Sequence, residues 1–282
     1  MNVVSYYDGI SAGQMALKNI GLPVNKYIAS EIDGKSIAVT QRKFPETVQI
    51  GDARYASLDY LFDIDLLLGG SPCQDLTFTR KGAGLNGEKS KLFFEFAKAK
   101  KRLNPRWFLF ENVLMAEDDK NVISENLECR PIEIDSANFS AQSRKRLYWT
   151  NIEILPIPSC NLVLNNIISK NPSSALFYKQ SFDFHGLDKK VCATIHLNTH
   201  EKLKRVLNPS FKSHTLTCVS GGYQEIKIFQ YNLPRKLHPR EYERLQGFPD
   251  DYTVGHSNTA RYTMLGNSWN VPTVEHILRG IK

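Results

Sequence analysis

The chain holds 282 residues, 41% of them hydrophobic, with 36 Lys and Arg against 29 Asp and Glu for a formal net charge of +7. That length buries a full core in one large or two modest domains, and no apolar run approaches the roughly 20 residues that span a bilayer. The N-terminus lacks the basic-then-apolar pattern of a secretory leader. Five scattered cysteines (Cys73, Cys129, Cys160, Cys192, Cys218) form no Cys-x-x-Cys pair, so a cytoplasmic setting with no disulfide framework and no metal is expected.

Short apolar runs at 2–6, 27–30, 48–50, 65–69, 107–111 and 132–135 read as strands. Between them lie helical patterns, such as 91–103, where Leu92, Phe93, Phe96, Ala97 and Leu103 recur at helical spacing beside a lysine-rich face. This alternation predicts an α/β fold: a mostly parallel sheet with helices on both faces, whose ligands bind at the carboxyl ends of the strands. From about 155 to 234 the alternation stops, and Asn, Ser, His, Lys and scattered aromatics predict a small, irregular, partly β insertion. Residues 235–282 return to helical patterns. The expected division is therefore 1–154, 155–234 and a C-terminal segment, 235–282, that rejoins the first domain. The first 150 residues carry 20 basic and 19 acidic side chains, whereas 151–234 carry 9 and 5, so the insertion is the expected contact for a polyanion.

Candidate functional residues follow the strands. The first runs into Tyr7-Asp8-Gly9-Ile10-Ser11-Ala12-Gly13 and then a helix; glycines there let backbone approach a ligand, and the helix start offers free N–H groups. The second ends at Glu31, placed to accept ribose hydroxyls, and the third at Asp52, placed to hold an adenine amino group. Three acidic strand ends in succession point to a nucleoside-containing cofactor. The fourth strand ends in Gly69-Gly70-Ser71-Pro72-Cys73-Gln74, which sets a thiol at the mouth of the cleft; the thiolate is the nucleophilic form. The fifth ends in Phe110-Glu111-Asn112-Val113, a carboxyl positioned to donate a proton. In Gln142-Ser143-Arg144-Lys145-Arg146, a strand through 144–148 would set Arg144 and Arg146 on one face, able to clamp a phosphate or a carbonyl oxygen.

The ordered set DGISAG, SEID, GDAR, GGSPCQDLT, FENV, QSRKR, RKLHPREYERLQGFPDDY and LGNSWNVP resembles the motif series of DNA cytosine-C5 methyltransferases. It runs from residue 3 to about 278, leaving only 155–234 uncovered. Parts of it are most similar to the animal de novo branch, while the compactness is that of a bacterial or phage enzyme. Two departures are Tyr7, where the family usually has Phe, and Ala12, where a hydroxyl is common.

The resemblance implies a Rossmann-like, class I S-adenosylmethionine-dependent fold with a small target-recognition region at 155–234. It implies methyl transfer from S-adenosylmethionine to carbon 5 of a flipped-out cytosine in double-stranded DNA, within a short base context. The implied catalytic set is Cys73 attacking C6, Glu111 at N3, and Arg146, supported by Arg144, at the cytosine carbonyl. Tyr7, Asp8, Gly9, Ile10, Gly13, Glu31, Ile32, Asp52, Pro72, Leu92, Asn267, Ser268 and Trp269 are implied to line the cofactor site, the last three requiring the C-terminal helix to pack beside strand one. Gln74, Lys212, Thr215, Thr217, Gly221, Gly222 and Arg235 are the expected DNA contacts, and the glycine-bearing loop 79–90 the expected lid. No membrane and no obligatory protein partner is implied; the expected setting is the cytoplasm of a bacterial cell or a phage-infected host. Two rival readings share the motifs: a methyltransferase acting on transfer RNA, and a relative that binds DNA without turnover.

Overall fold

The computed structural model describes residues 1–59, 61–72, 91–219 and 221–282. They form two compact units: 1–135 with 145–157 and 273–282, and 136–144 with 158–272. These boundaries fall elsewhere than at 154 and 234. Residues 235–272 belong with the insertion, only the last ten residues join the first unit, and 136–144 leaves it as a separate excursion.

The first unit is built on strands β1 (Asn2–Tyr6), β2 (Lys26–Ser30), β3 (Val48–Gln49), β4 (Leu66–Gly69), β5 (Trp107–Asn112), β6 (Ile132–Asp135) and β7 (Lys145–Thr150) in the order β3-β2-β1-β4-β5-β7-β6. The pairs from β3 through β5 are parallel, while β7 runs antiparallel between β5 and β6. Helices α1 (Ala12–Asn19), α2 (Gly34–Lys43), α3 (Leu92–Leu103) and α4 (Glu117–Leu127) connect them. Continuous apolar runs such as Leu66-Leu67-Leu68 are buried, as expected of strands covered on both faces. Strand order reverses between β1 and β4, so the ends of those strands form the crevice where such sheets hold ligands.

An aromatic core of Phe93, Phe96, Phe110 and Trp149 holds α3 against β5 and β7, with Phe96 and Phe110 ring centroids 4.8 Å apart. At the end of β4, Gly69 is required by packing: a Cβ there would lie 2.5 Å from the Phe96 ring. The C-terminal helix α8 (Val271–Leu278) is tied to α1, with Asn19 donating to Glu275 at 2.6 Å.

The second unit, where a small, irregular, partly β insertion was expected, contains a five-stranded sheet. Strands β8 (Phe182–Phe184), β9 (Val191–Ile195), β10 (Arg205–Leu207), β11 (Lys227–Gln230) and β12 (Leu233–Lys236) lie in the order β12-β11-β10-β9-β8, with the short helix α5 (Glu201–Lys204) before β10. Runs of three to five residues are too short to show a period of two, which is why the strands were not visible in the sequence. Helix α6 (Pro239–Gln246) has an explicit start and stop. His238 caps the Arg240 N–H, Glu241 returns a bond to His238, Pro239 occupies the first turn, and Gly247 ends the helix at φ 82°. Helix α7 (Asn258–Asn267) follows. No helix among the described residues is long and apolar enough to cross a membrane.

Candidate active site

The turn after β1 is held in an unusual backbone by side-chain bonds. Tyr7, Gly9 and Ser11 all have φ near +58°, a conformation that costs non-glycine residues about 1 kcal/mol or more each. The Asp8 carboxylate offsets this by accepting from the Tyr27 hydroxyl at 2.7 Å and from the Ser11 hydroxyl, which also receives a bond from Thr40. Burial pushes Asp8 up to about 6, with the hydroxyl donors pulling the other way. The carboxylate of Asp8, a residue expected to line the cofactor site, thus holds the turn. Glu31 does the same from β2, accepting Gly9 N–H on one oxygen and Ile32 and Asp33 N–H on the other, at 2.7–2.8 Å. Tyr7 donates to the Leu92 carbonyl at 2.7 Å, tying the turn to α3, while Ile10 is buried and Ile32 is 71% exposed. Asp52, expected at an adenine amino group, pairs with Arg54 at 2.6 Å, which holds its carboxyl below the usual range.

At the carboxyl end of β5, Glu111 and Arg146 meet, Nε to Oε1, at 3.0 Å, with side chains only 11% and 14% exposed. They are neighbours because antiparallel pairing sets Glu111 opposite Tyr148, two residues along β7 from Arg146. Asn112, buried, accepts the Val113 N–H and donates to Ser71, securing the chain two residues before Cys73. Asn112 is a positioning residue that the sequence reading missed; its signal is an amide directly after Glu111 at the end of an apolar strand. Cys73, Gln74 and the expected lid 79–90 lie outside the described residues.

Arg144 corrects the expected arginine pair. The strand begins at Lys145, and the Arg144 side chain stays within the second unit, 4% exposed. Its guanidinium donates to the carbonyls of Leu216, Gly266 and Ser268 at 3.0–3.3 Å. It therefore fixes the loop bearing Asn267, Ser268 and Trp269 rather than supporting Arg146. Gln142 and Gln246 join it: Gln142 accepts the Leu216 N–H and donates to Gln246, which donates to the Leu265 and Ser268 carbonyls. Backbone crosses backbone here so closely that a Cβ on Gly266 would lie 2.5 Å from the Thr217 carbonyl oxygen. Ser268 is buried, Trp269 half-buried, and Asn267 exposed, accepting from Cys218.

One expected phosphate contact is also corrected. Arg235 is fully buried and paired with Glu241 through bonds of 2.7 and 2.9 Å. Lys212, half-buried, donates to the carbonyls of Ser140 and Leu162. An unpaired buried charge is so costly that a cation enclosed by the fold is held by its own chain. Thr215 donates to the Ser143 carbonyl, Thr217 is exposed, and Gly221 and Gly222 take φ of 112° and 66°.

A mostly parallel seven-stranded sheet, with β7 antiparallel near its edge and a strained turn at the switch point, is the Rossmann-like fold of class I methyltransferases. The model of the C-5 cytosine-specific DNA methylase family matches residues 1–153 and 164–282, and the chain belongs to that family. Type II methyltransferase M1.ScrFI of Lactococcus lactis subsp. cremoris is 30% identical over 90% of this chain and 71% of its own length. M.HpaII of Haemophilus parainfluenzae is 24% identical over 96% and 86%, and the orphan methyltransferase M.SPRI of Bacillus phage SPR is 30% identical over 54% and 38%. Among solved structures, S. pombe Dnmt2 methyltransferase (TM-score 0.72, 16% identity, 100% of this chain and 99% of that one) and a prophage-encoded E. coli protein (0.72, 19%, 100% and 98%) share the fold. The chain is a DNA (cytosine-5-)-methyltransferase.

Proposed function

We propose that the enzyme uses S-adenosylmethionine to methylate carbon 5 of a cytosine rotated out of duplex DNA, in a short base context, with Cys73 as nucleophile. The observation that carries this reading is the near-buried Glu111–Arg146 pair, set beside the β4 end from which Ser71-Pro72-Cys73 departs. Extruding the base costs a few kcal/mol, returned by contacts in the pocket.

The first unit's residues fit the cofactor. Gly9 leaves open space beside its backbone, since a Cβ there meets nothing within 4 Å, and Ile32 offers an exposed apolar face for the adenine. Glu31, already aligned by three N–H groups, can accept further bonds from ribose hydroxyls. Asn267, Ser268 and Trp269 are assigned to the same ligand on the family resemblance. When bound, S-adenosylmethionine supplies an electrophilic methyl group on its sulfonium.

The protein's own steps follow covalent catalysis. The Cys73 thiolate bonds to C6, and the displaced ring electrons make C5 nucleophilic while Glu111 delivers a proton to N3. Arg146 orients Glu111 and the base carbonyl. After methylation, loss of the C5 proton expels the thiolate by β-elimination and restores the ring. With bacterial and phage proteins among its relatives, we place this activity in the cytoplasm of a bacterial or phage-infected cell.

The test compares the wild type with Cys73→Ser on unmethylated duplex DNA and labelled S-adenosylmethionine, followed by bisulfite sequencing. Protection of cytosines in one short context by the wild type alone is the expected result. Label on transfer RNA and none on DNA overturns the substrate; an active serine variant overturns the nucleophile.

A further inference from the structure

Arg235 is committed to the fold, while several cations of the second unit, Lys189 and Arg205 among them, lie on its surface. Lys189 and Arg205, both exposed, line a concavity of about 500 Å³ with His185, Thr194 and Glu201. The Glu201 carboxylate is held by Lys204 at 2.5 Å, leaving this concavity net basic. Its floor is the outer face of the sheet, and the pairing register shows why. Asp183 lies opposite Thr194, which lies opposite Arg205, so one row of side chains crosses β8, β9 and β10.

The two faces of the β8–β9 hairpin differ sharply. Phe182 and Phe184 turn to Phe229 on the inner side, where Ala193 and Ile195 are buried. On the outer side, His196 bonds Asp183 and Ser181 at 2.9 Å, and His185 bonds Thr194 at 2.8 Å. β8 is the edge of the sheet, so the hairpin has a free flank. Three features thus coincide: a two-stranded ribbon, which is one of the two elements that fit a DNA major groove; a preordered row of donors and acceptors; and flanking cations free for phosphates.

We propose that the β8–β9 hairpin is the sequence-reading ribbon of this enzyme, with Asp183, His185, Thr194 and His196 facing base edges and Lys189 and Arg205 gripping flanking phosphates. The assignment rests on the reading of duplex DNA as substrate. It is tested on the full chain. Asp183→Asn and His196→Ala should change or relax the base context around methylated cytosines in bisulfite sequencing. The double variant Lys189→Ala/Arg205→Ala should weaken duplex binding uniformly across sequences, and lower the slope of log affinity against log salt by about 1 per cation removed. Lys101→Ala, on exposed α3, removes a charge from the other unit and should leave that slope unchanged; circular dichroism confirms that each variant is folded. A wild type that methylates DNA, with variants keeping both context and salt slope, overturns the hairpin assignment alone. A wild type that methylates no DNA overturns the substrate reading instead.

Discussion

At the residue scale, side chains of one type separate by what their surroundings make of them. Arg146 reaches Glu111 at the strand end, whereas Arg144, two positions earlier, is consumed by three carbonyls. Glu111→Gln should therefore cut the rate of methyl transfer by about 10²-fold or more while DNA affinity persists, since a positioned proton donor contributes that much. Arg144→Met should lower stability by about 1–3 kcal/mol through its stranded carbonyl partners, seen in chemical denaturation, and weaken cofactor binding measured by titration calorimetry. Asp8 gives a pH signature. Its folded value of about 6 lies above the ordinary 3.8, so folding favours the protonated form. The stability which that form contributes is fully present below about pH 4 and is lost as pH rises through 6, up to about 3 kcal/mol. Asp8→Asn should lack this loss, so its melting temperature relative to the wild type should climb between pH 4 and 7. The candidates themselves were legible because each strand end breaks an apolar run with a reactive or polar residue. The partners of Asp8, Arg144 and Arg235 were not, because they come from residues distant in the chain or from backbone carbonyls.

At the element scale, α6 depends on buried charge. Glu241 pairs with Arg235, and Glu243 with Arg261 at 2.9 Å, all four with little or no exposure. Glu243 also accepts from the Asp251 and Thr253 N–H groups, so the turn after α6 is built around that carboxylate. Arg235→Met leaves Glu241 buried without its cation and should cost about 3–5 kcal/mol in urea denaturation. Replacing both residues with apolar ones of matched size should recover most of the loss. The start and stop of this helix were written in RKLHPREYERLQG, since capping residues act locally. The buried pairing was not, because a basic strand and an acidic helix read alike whether they face water or one another.

At the scale of the whole molecule, the chain crosses between units four times, and the excursion 136–144 supplies Ser140, Gln142 and Arg144 to the second unit. Lys212, Leu216 and Asn270 all bond to those residues. A fragment comprising 158–272 alone should therefore fail to give a dispersed amide spectrum. The full chain should give one, and a folded fragment would show that the excursion is dispensable.

The sequence by itself determined the parallel sheet and the family, and it marked the strand ends as candidate sites, because apolar periodicity and motif order are local and survive divergence. Tertiary structure alone decided that Arg235 is buried against Glu241 and Arg144 against backbone carbonyls. It also decided that 235–272 packs with the insertion and that runs of three to five residues pair into a second sheet. Each of these outcomes is set by burial and by partners far along the chain, which no local pattern encodes.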